Sequence, residues 1–230
     1  MIRVISFDVD DTLYDFTTVS SRALEKVAER VRAETGAASS ALTLDHVIAD
    51  LETTAVEMEH PYARIGEFRR RSFTRTLARC GRQSPALVDE LNRIYVRHRF
   101  GAVSPYADAQ PTLAALARSY ILCAISNGEQ ELEALGLAHL FQFMVTATEV
   151  GFQKPDPRIF EAAMRRAGRT RDEFAHVGDS LAGDVAGAKA AGARAIWFNP
   201  AGVPRTGDVA PDAEIRTLLE LPGLLERWKR

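Results

Sequence analysis

The feature that most limits how this chain can fold is an alternation of short apolar, β-branched runs with segments of helical spacing. The first run, residues 2–7, breaks off at Asp8 and reads as a strand buried on both faces, since it lacks the polar alternation of a half-exposed one. Similar runs occupy residues 120–125, 143–146, 174–177 and 193–198. Residues 111–119, 157–167 and 181–191 carry helical periodicity between them. Asp156 before Pro157 supplies an N-cap followed by proline at the first helical position, and Gly168 and Gly192 fall where helices should stop. Strand alternating with helix predicts an α/β fold, a doubly wound parallel sheet.

Residues 16–101 break this rhythm and offer no convincing strand. Leu24, Val27, Ala28 and Val31 recur at helical spacing, as do Phe73, Leu77 and Cys80, and Ser84-Pro85 opens another helix towards His98. The pattern predicts about four helices inserted after the first strand, giving a core of residues 1–15 and 102–230 and a helical domain of residues 16–101. Residues 201–211, rich in Gly, Pro and Ala, read as an exposed loop before a final amphipathic helix.

The formal net charge of −2 supplies no global field for nucleic acid, and the run Arg69-Arg70-Arg71 reads as the solvated face of a helix. Cys80 and Cys123 show neither disulfide nor metal spacing, and Cys123 sits in an apolar run as a small core residue. No apolar stretch approaches the ~18 residues of a membrane span, and the chain begins on a strand pattern without a signal core. The expectation is a cytoplasmic protein, monomer or homodimer, with neither nucleic-acid nor membrane partners.

Chemistry concentrates at the strand ends. In Asp8-Val9-Asp10-Asp11-Thr12-Leu13, residues two apart on a strand share a side, so Asp8 and Asp10 should converge at the carboxyl end of the first strand. Two carboxylates at 4 Å repel by ~4 kcal/mol at an effective dielectric of 20, a cost that a cation or a retained proton removes. Asp is also common in turns, and this run alone fits an acidic turn equally well. A second acidic pair, Asp179 and Asp184 in Gly178-Asp179-Ser180-Leu181-Ala182-Gly183-Asp184, follows another apolar strand. Hard oxygen ligands gathered at strand tips suit Mg²⁺, whereas the absence of Cys from these segments and the scarcity of His argue against zinc. Ser126-Asn127-Gly128 offers a hydroxyl and backbone N–H groups to a phosphate, although Asn-Gly is also a common turn. Lys154, one of only four lysines, lies beside Pro155 after the third core strand. By itself a loop lysine is usually just solvated.

The order of these pieces resembles the four motifs of the haloacid dehalogenase superfamily: FDVDDTL, AISNG, Lys154 and GDSLAGD. Asp11 stands where many members carry glycine. The resemblance spans residues 2 to about 200 and implies a Rossmann-like core with a mobile helical cap, and a Mg²⁺-dependent hydrolase of small phosphorylated metabolites. It also implies roles. Asp8 would be the nucleophile, forming an aspartyl phosphate. Asp10 would be the general acid and base, with a raised pKa, and a metal ligand through its carbonyl. Lys154 would stabilise charge, Ser126 and the Asn127 backbone would hold phosphate, and Asp8, Asp10 and Asp179 would hold the metal. Asp184 would orient Lys154 or metal-bound water, and Thr12 would steady the nucleophile loop.

For the substrate, the cap positions His60, Arg64 and Arg69 to Arg71 are candidates, with core packing or surface solvation as the alternative for each. Tyr14 is a candidate for ring stacking or for an aromatic core role. The closest resemblance is to phosphatases acting on FMN and 5-amino-6-(5-phospho-D-ribitylamino)uracil, with pyrimidine 5′-nucleotidases and sugar phosphatases or phosphomutases as rivals. Dehalogenases of the superfamily lack the second aspartate and use no metal. A silent binding protein on the same fold is disfavoured because every motif residue is present. A dinucleotide-binding module is disfavoured because no G-x-G-x-x-G follows the first strand.

Overall fold

A computed structural model of the chain describes residues 1–36, 41–101, 103–129 and 132–229. Strand β1 (Val4–Phe7) is followed by four helices: α1 (Phe16–Thr35), α2 (Leu44–Glu57), α3 (Ile65–Arg79) and α4 (Pro85–Phe100). The alternation then resumes with α5 (Ala109–Leu116), β2 (Ile121–Ser126), β3 (Phe143–Thr146), α6 (Ala147–Val150), α7 (Pro157–Ala167) and β4 (Phe174–Gly178). It ends with α8 (Ala186–Ala190), β5 (Arg194–Phe198), β6 (Ala213–Ile215) and α9 (Leu221–Arg227). The chain divides into two compact units, Met1–Asp15 with Ser104–Arg230, and Phe16–Val103. Position 102, the expected boundary, lies outside the described residues, as do positions 130 and 131 in the link after Gly128.

The first unit is built on a six-stranded sheet in the order β3-β2-β1-β4-β5-β6, every neighbouring pair parallel. This is the doubly wound α/β architecture that the alternation predicts. β1 lies inside the sheet with all four residues buried, which explains why its sequence shows no polar alternation. Phe7 stands level with Ala124 of β2 and Val177 of β4, so the carboxyl ends of these strands open along one edge. The chain winds outward from β1 through β2 and β3, then returns to the other side of β1 as β4. That reversal is the switch point where parallel α/β sheets bind ligands.

Two local readings need correction. The segment expected to be one helix over 181–191 opens instead as a wider turn at Leu181–Val185, where Val185 N donates to Ser180 O at 3.1 Å, and only then becomes α8. The exposed loop at 201–211 is followed by β6 before α9. Three residues with the charged Glu214 in the middle make too short a run to register as a strand, and Asp212 N donating to Ala195 O helps seat it.

The second unit has its own core, formed by Leu24, Val27 and Val31 of α1, Phe73 and Leu77 of α3, and Leu91 and Tyr95 of α4. Those of α1 and α3 are among the residues whose spacing marked the insert as helical. Asp50 of α2 is 1% exposed and accepts from Thr76 Oγ1 at 3.0 Å and Arg79 Nη2 at 2.6 Å, so the buried charge is paired. Among the described residues no helix is long and apolar enough to cross a membrane.

Leu91 is fully buried. Leu91→Ala should therefore cost about 2–5 kcal/mol of the helical unit's stability, read as a lowered urea midpoint. A loss below about 1 kcal/mol would contradict the packing described.

Candidate active site

Asp8 directly follows β1, and its N–H donates to Val177 O at 2.8 Å, so its placement is fixed by the same ladder that pairs β1 with β4. Asp179 follows β4, and its main-chain oxygen accepts from Trp197 Nε1 of β5 at 2.8 Å. Asp184 is carried by the wide turn after Asp179. Ser180 organises that turn: its hydroxyl accepts from Gly183 N at 2.9 Å, and its carbonyl accepts from Asp184 N at 2.8 Å. Gly178 is required here because a Cβ would fall on the Asp184 carboxylate.

Lys154 reaches the same point from the loop between α6 and α7. Its ammonium donates to Asp8 Oδ1 at 2.5 Å and to Asp184 Oδ1 at 2.6 Å, and both lysine and carboxylates are buried. The lysine's main chain is clamped by Asn127, whose Oδ1 accepts from Lys154 N at 2.7 Å and whose Nδ2 donates to Lys154 O at 3.2 Å. Asn127 therefore ties the end of β2 to the lysine loop through its side chain, a role that reading it only as a backbone donor misses. Asp156 anchors the far side of the loop by capping α7, accepting from Arg158 N at 2.9 Å. Ser126 Oγ accepts from Gly128 N at 2.8 Å.

One carboxylate oxygen each from Asp8, Asp179 and Asp184 lies within 4.8 Å of the others. These three carboxylates face one ammonium, so the cluster carries a surplus of two negative charges when ionised. The surplus shows in the titration of its members. Burial raises the Asp8 carboxyl well above its usual range; Lys154 opposes this, while Asp184, Asp10 and Asp179 add to it. Burial, then Asp184, pushes Asp179 up to about 6 against the pull of Lys154. Asp184 goes the other way: burial would raise it, but the charge of Lys154 and the hydrogen bond from His176 hold it well below the usual carboxylate range. Burial disfavours the Lys154 charge, yet Asp184 and Asp8 keep it firmly protonated. Hard carboxylate oxygens with a twofold charge excess match a small divalent cation.

Thr12 Oγ1 lies 3.2 Å from Asp179 Oδ1 and 3.5 Å from Asp8 Oδ2, bridging the two acidic segments. Asp10 is close enough for its charge to act on Asp8, and its Oδ1 accepts from Tyr14 OH at 2.7 Å. Tyr14 is 1% exposed, so the ring is a core element whose hydroxyl orients Asp10 rather than a stacking surface. Asp11 has φ 55, which explains why glycine is at home in this position and why a short polar residue substitutes for it.

The cap candidates belong to the helical unit. His60 is partly exposed, and Arg64 is exposed, donating to Glu59 O at 2.8 Å. Arg69 is 6% exposed with its guanidinium 5.8 Å from the Tyr95 ring centroid. It falls on the buried stripe of α3 with Phe68, Ser72 and Phe73, while Arg70 and Arg71 face outward to Asp89 and Glu67. The run read as a solvated helix face is thus corrected at Arg69: two of its residues are exposed and one is buried, because three consecutive helical positions span most of a turn. Two site residues escape a reading of the sequence: His176 and Ser6, which extend the polar cluster below Asp184. Their signal is a polar side chain inside a strand that is otherwise apolar.

Comparison with known proteins agrees with this geometry. Residues 2–192 match the model of the family described as haloacid dehalogenase-like hydrolase. The chain is 32% identical to a glyceraldehyde 3-phosphate phosphatase of Methanopyrus kandleri, covering 96% of each chain. It is 30% identical to 5-amino-6-(5-phospho-D-ribitylamino)uracil phosphatase YigB of Escherichia coli, covering 97% of this chain and 96% of that one. Among solved structures, one described as a 2-haloacid dehalogenase from Pseudomonas syringae is 36% identical with a TM-score of 0.83, covering 99% of this chain and 100% of that chain. With Asp8, Lys154, Asp179 and Asp184 brought together from distant segments at the switch point of the sheet, the chain belongs to the haloacid dehalogenase-like hydrolases.

Proposed function

We propose that this protein hydrolyses phosphate monoesters of small metabolites through a phosphoryl group carried on Asp8. The observation that carries the reading is the surplus of two negative charges around a buried, lysine-paired carboxylate. A site of that charge repels an anionic substrate unless a cation accompanies it. Mg²⁺ held by Asp8, Asp179 and the Asp10 carbonyl would neutralise the phosphate and the developing charge. Asp184 is the least free of the three carboxylates to ligate. Its Oδ1 already faces Lys154 and His176, and its Oδ2 accepts from Ser180 N at 2.9 Å. It therefore acts on Lys154.

In the proposed reaction an oxygen of Asp8 attacks phosphorus, and the ester P–O bond breaks. Asp10 gives its proton to the leaving alkoxide, then takes one from the water that cleaves the acyl phosphate, and inorganic phosphate leaves. Tyr14 OH fixes the Asp10 carboxyl for this shuttle. Lys154, with two of its three donors on Asp8 and Asp184, has one left for a phosphoryl oxygen. Ser126 Oγ accepts from Gly128 N, so its own hydrogen can turn to the phosphate alongside backbone N–H groups of the Asn127 segment.

For the substrate, the likeness to YigB and the first-motif resemblance support a flavin-pathway phosphate or FMN. The likeness to a glyceraldehyde 3-phosphate phosphatase supports a small triose phosphate as the competing choice. A second reaction, dehalogenation of a 2-haloacid, is favoured by the 36% identical structure so described. Asp10 and the uncompensated carboxylates count against it, because a carboxylate substrate brings no phosphate to share a cation.

Turnover of p-nitrophenyl phosphate with Mg²⁺, followed by a panel of FMN, the ribitylamino phosphate, UMP, glyceraldehyde 3-phosphate and 2-chloropropionate, tests these readings. Phosphate release that falls at least roughly a thousandfold in Asp8→Asn is expected. Chloride release from 2-chloropropionate without phosphate release from any ester would overturn the proposal, and a panel without preference for the flavin compounds would remove that substrate.

The raised Asp179 gives a second test. Its folded pKa of about 6 exceeds the usual value of about 4, so in the metal-free protein its contribution to stability is present below about pH 4 and is lost as pH rises through 6. Asp184, shifted down, loses its contribution only as pH falls below the usual carboxylate range, a separate window. Since the cation needs the ionised form, the gain in Tm on adding Mg²⁺ should be small near pH 4 and grow until pH passes about 6. A gain that stays flat across this range would contradict the assignment of Asp179.

A further inference from the structure

We infer that His176 is a positioning residue that locks Asp184, and through it Lys154, in place; the inference rests on the phosphatase reading only for its kinetic test. His176 lies on β4, one of whose flanking strands is β1, and is 1% exposed. Its Nε2 is 3.0 Å from Asp184 Oδ1, its Nδ1 is 2.8 Å from Ser6 Oγ of β1, and its ring meets Phe160 of α7 edge-on at 5.0 Å and 86°. The imidazole is thereby held on three sides by β1, α7 and the turn after β4.

Asp184, ionised between Lys154 and His176, only accepts hydrogen bonds, so Nε2 of His176 carries a hydrogen. In this tautomer Nδ1 accepts, and the single hydrogen of Ser6 Oγ goes to Nδ1 at 2.8 Å in preference to its other acceptor, Ala175 O at 3.2 Å. Asp184 Oδ1 thus accepts from two donors, Lys154 Nζ and His176 Nε2, and Oδ2 from Ser180 N. Of these donors only His176 Nε2 and Ser180 N sit on the framework, one on each oxygen, and together they fix the carboxylate independently of the long, flexible lysine. Without the imidazole donor, Oδ1 would have Lys154 as its one partner, and the carboxylate could turn and draw the ammonium away from Asp8. His176 therefore keeps Lys154 shared between the two carboxylates, the arrangement in which the ammonium faces both nucleophile and substrate.

The test uses the full chain and p-nitrophenyl phosphate with Mg²⁺. His176→Leu should lower kcat about ten- to hundredfold, the range typical for groups that orient a site's inner residues, while KM changes little. His176→Gln, whose amide N–H₂ reaches the Nε2 position, should restore most of the rate, and His176→Asn, which reaches only Nδ1, should not. Leu at wild-type kcat, or Gln as impaired as Leu while both remain folded, would overturn the inference.

A measurement free of turnover stands beside it: the imidazole ¹⁵N spectrum of the wild-type protein, with Asp184→Leu as comparison. The expected result is a hydrogen on Nε2 of His176 that exchanges slowly with solvent and whose shift moves in the variant. A bare Nε2 would overturn the inference whatever the enzyme assay shows. A wild-type protein that releases phosphate from no ester would instead sink the functional reading, with the spectrum still judging His176.

Discussion

The ammonium of Lys154, buried between Asp8 and Asp184 at 2.5 and 2.6 Å, is the interaction on which the first unit's architecture depends. Burying isolated charges of this size costs several kcal/mol each even after relaxation, and close pairing recovers it only when the geometry is held. The holding is distributed. The β1–β4 ladder fixes Asp8, the Ser180 turn fixes Asp184, and the Asn127 amide fixes the main chain of Lys154. Three segments far apart in sequence are thus bound to one ion pair, and the sheet order that places β1 between β2 and β4 is what lets them meet.

The same arrangement explains why the two acidic segments behave differently although each presents aspartates at a strand end. Asp184 has three donors on it and is held ionised. Asp179, with a weak contact from Thr12 at 3.2 Å and no lysine of its own, is pushed up to about 6, first by burial and then by Asp184. Donor count, not residue type, separates the carboxylate that orients from the one whose charge is left unsatisfied. Under the proposed reading, that separation divides a residue that steadies the site from one whose charge a cation would satisfy.

How much of this is legible in the sequence follows from the range of the forces involved. The doubly wound sheet is legible because burial on both faces writes itself into residues 4–7 and 174–178 as runs that are apolar but for Ser6 and His176. The gathering of Asp8, Lys154, Asp179 and Asp184 is legible from their order along the chain. What is not legible is set by contacts between strands. His176 reads as one polar residue in an apolar run until register brings it level with Ser6. The side chain of Asn127 looks like part of a turn until the lysine loop folds against it. The stretch at 181–191 satisfies a helical period while its first turn is widened by Ser180 and Asp184. β6 is three residues long, too short for any pattern. Arg69 is likewise missed: its charge places it with Arg70 and Arg71 on a solvated helix face, whereas the turn of α3 carries it onto the buried stripe.

Charge also bears on which chemistry the first unit is built for, where the relatives' names point two ways. A carboxylate that attacks a haloacid must be ionised, and negative charge nearby disfavours that form. Here Asp8 is raised by burial, and Asp184, Asp10 and Asp179 add to that shift, so the surplus works against its ionised form. Lys154 cannot correct this alone, because it is shared with Asp184 and balances only one of three carboxylates. Under the proposed reading a divalent cation would favour the ionised form of Asp8 and offer coordination to phosphoryl oxygens, which a phosphate ester supplies and a haloacid does not. The acidic excess is a liability for a dehalogenase and a requirement for the proposed phosphatase.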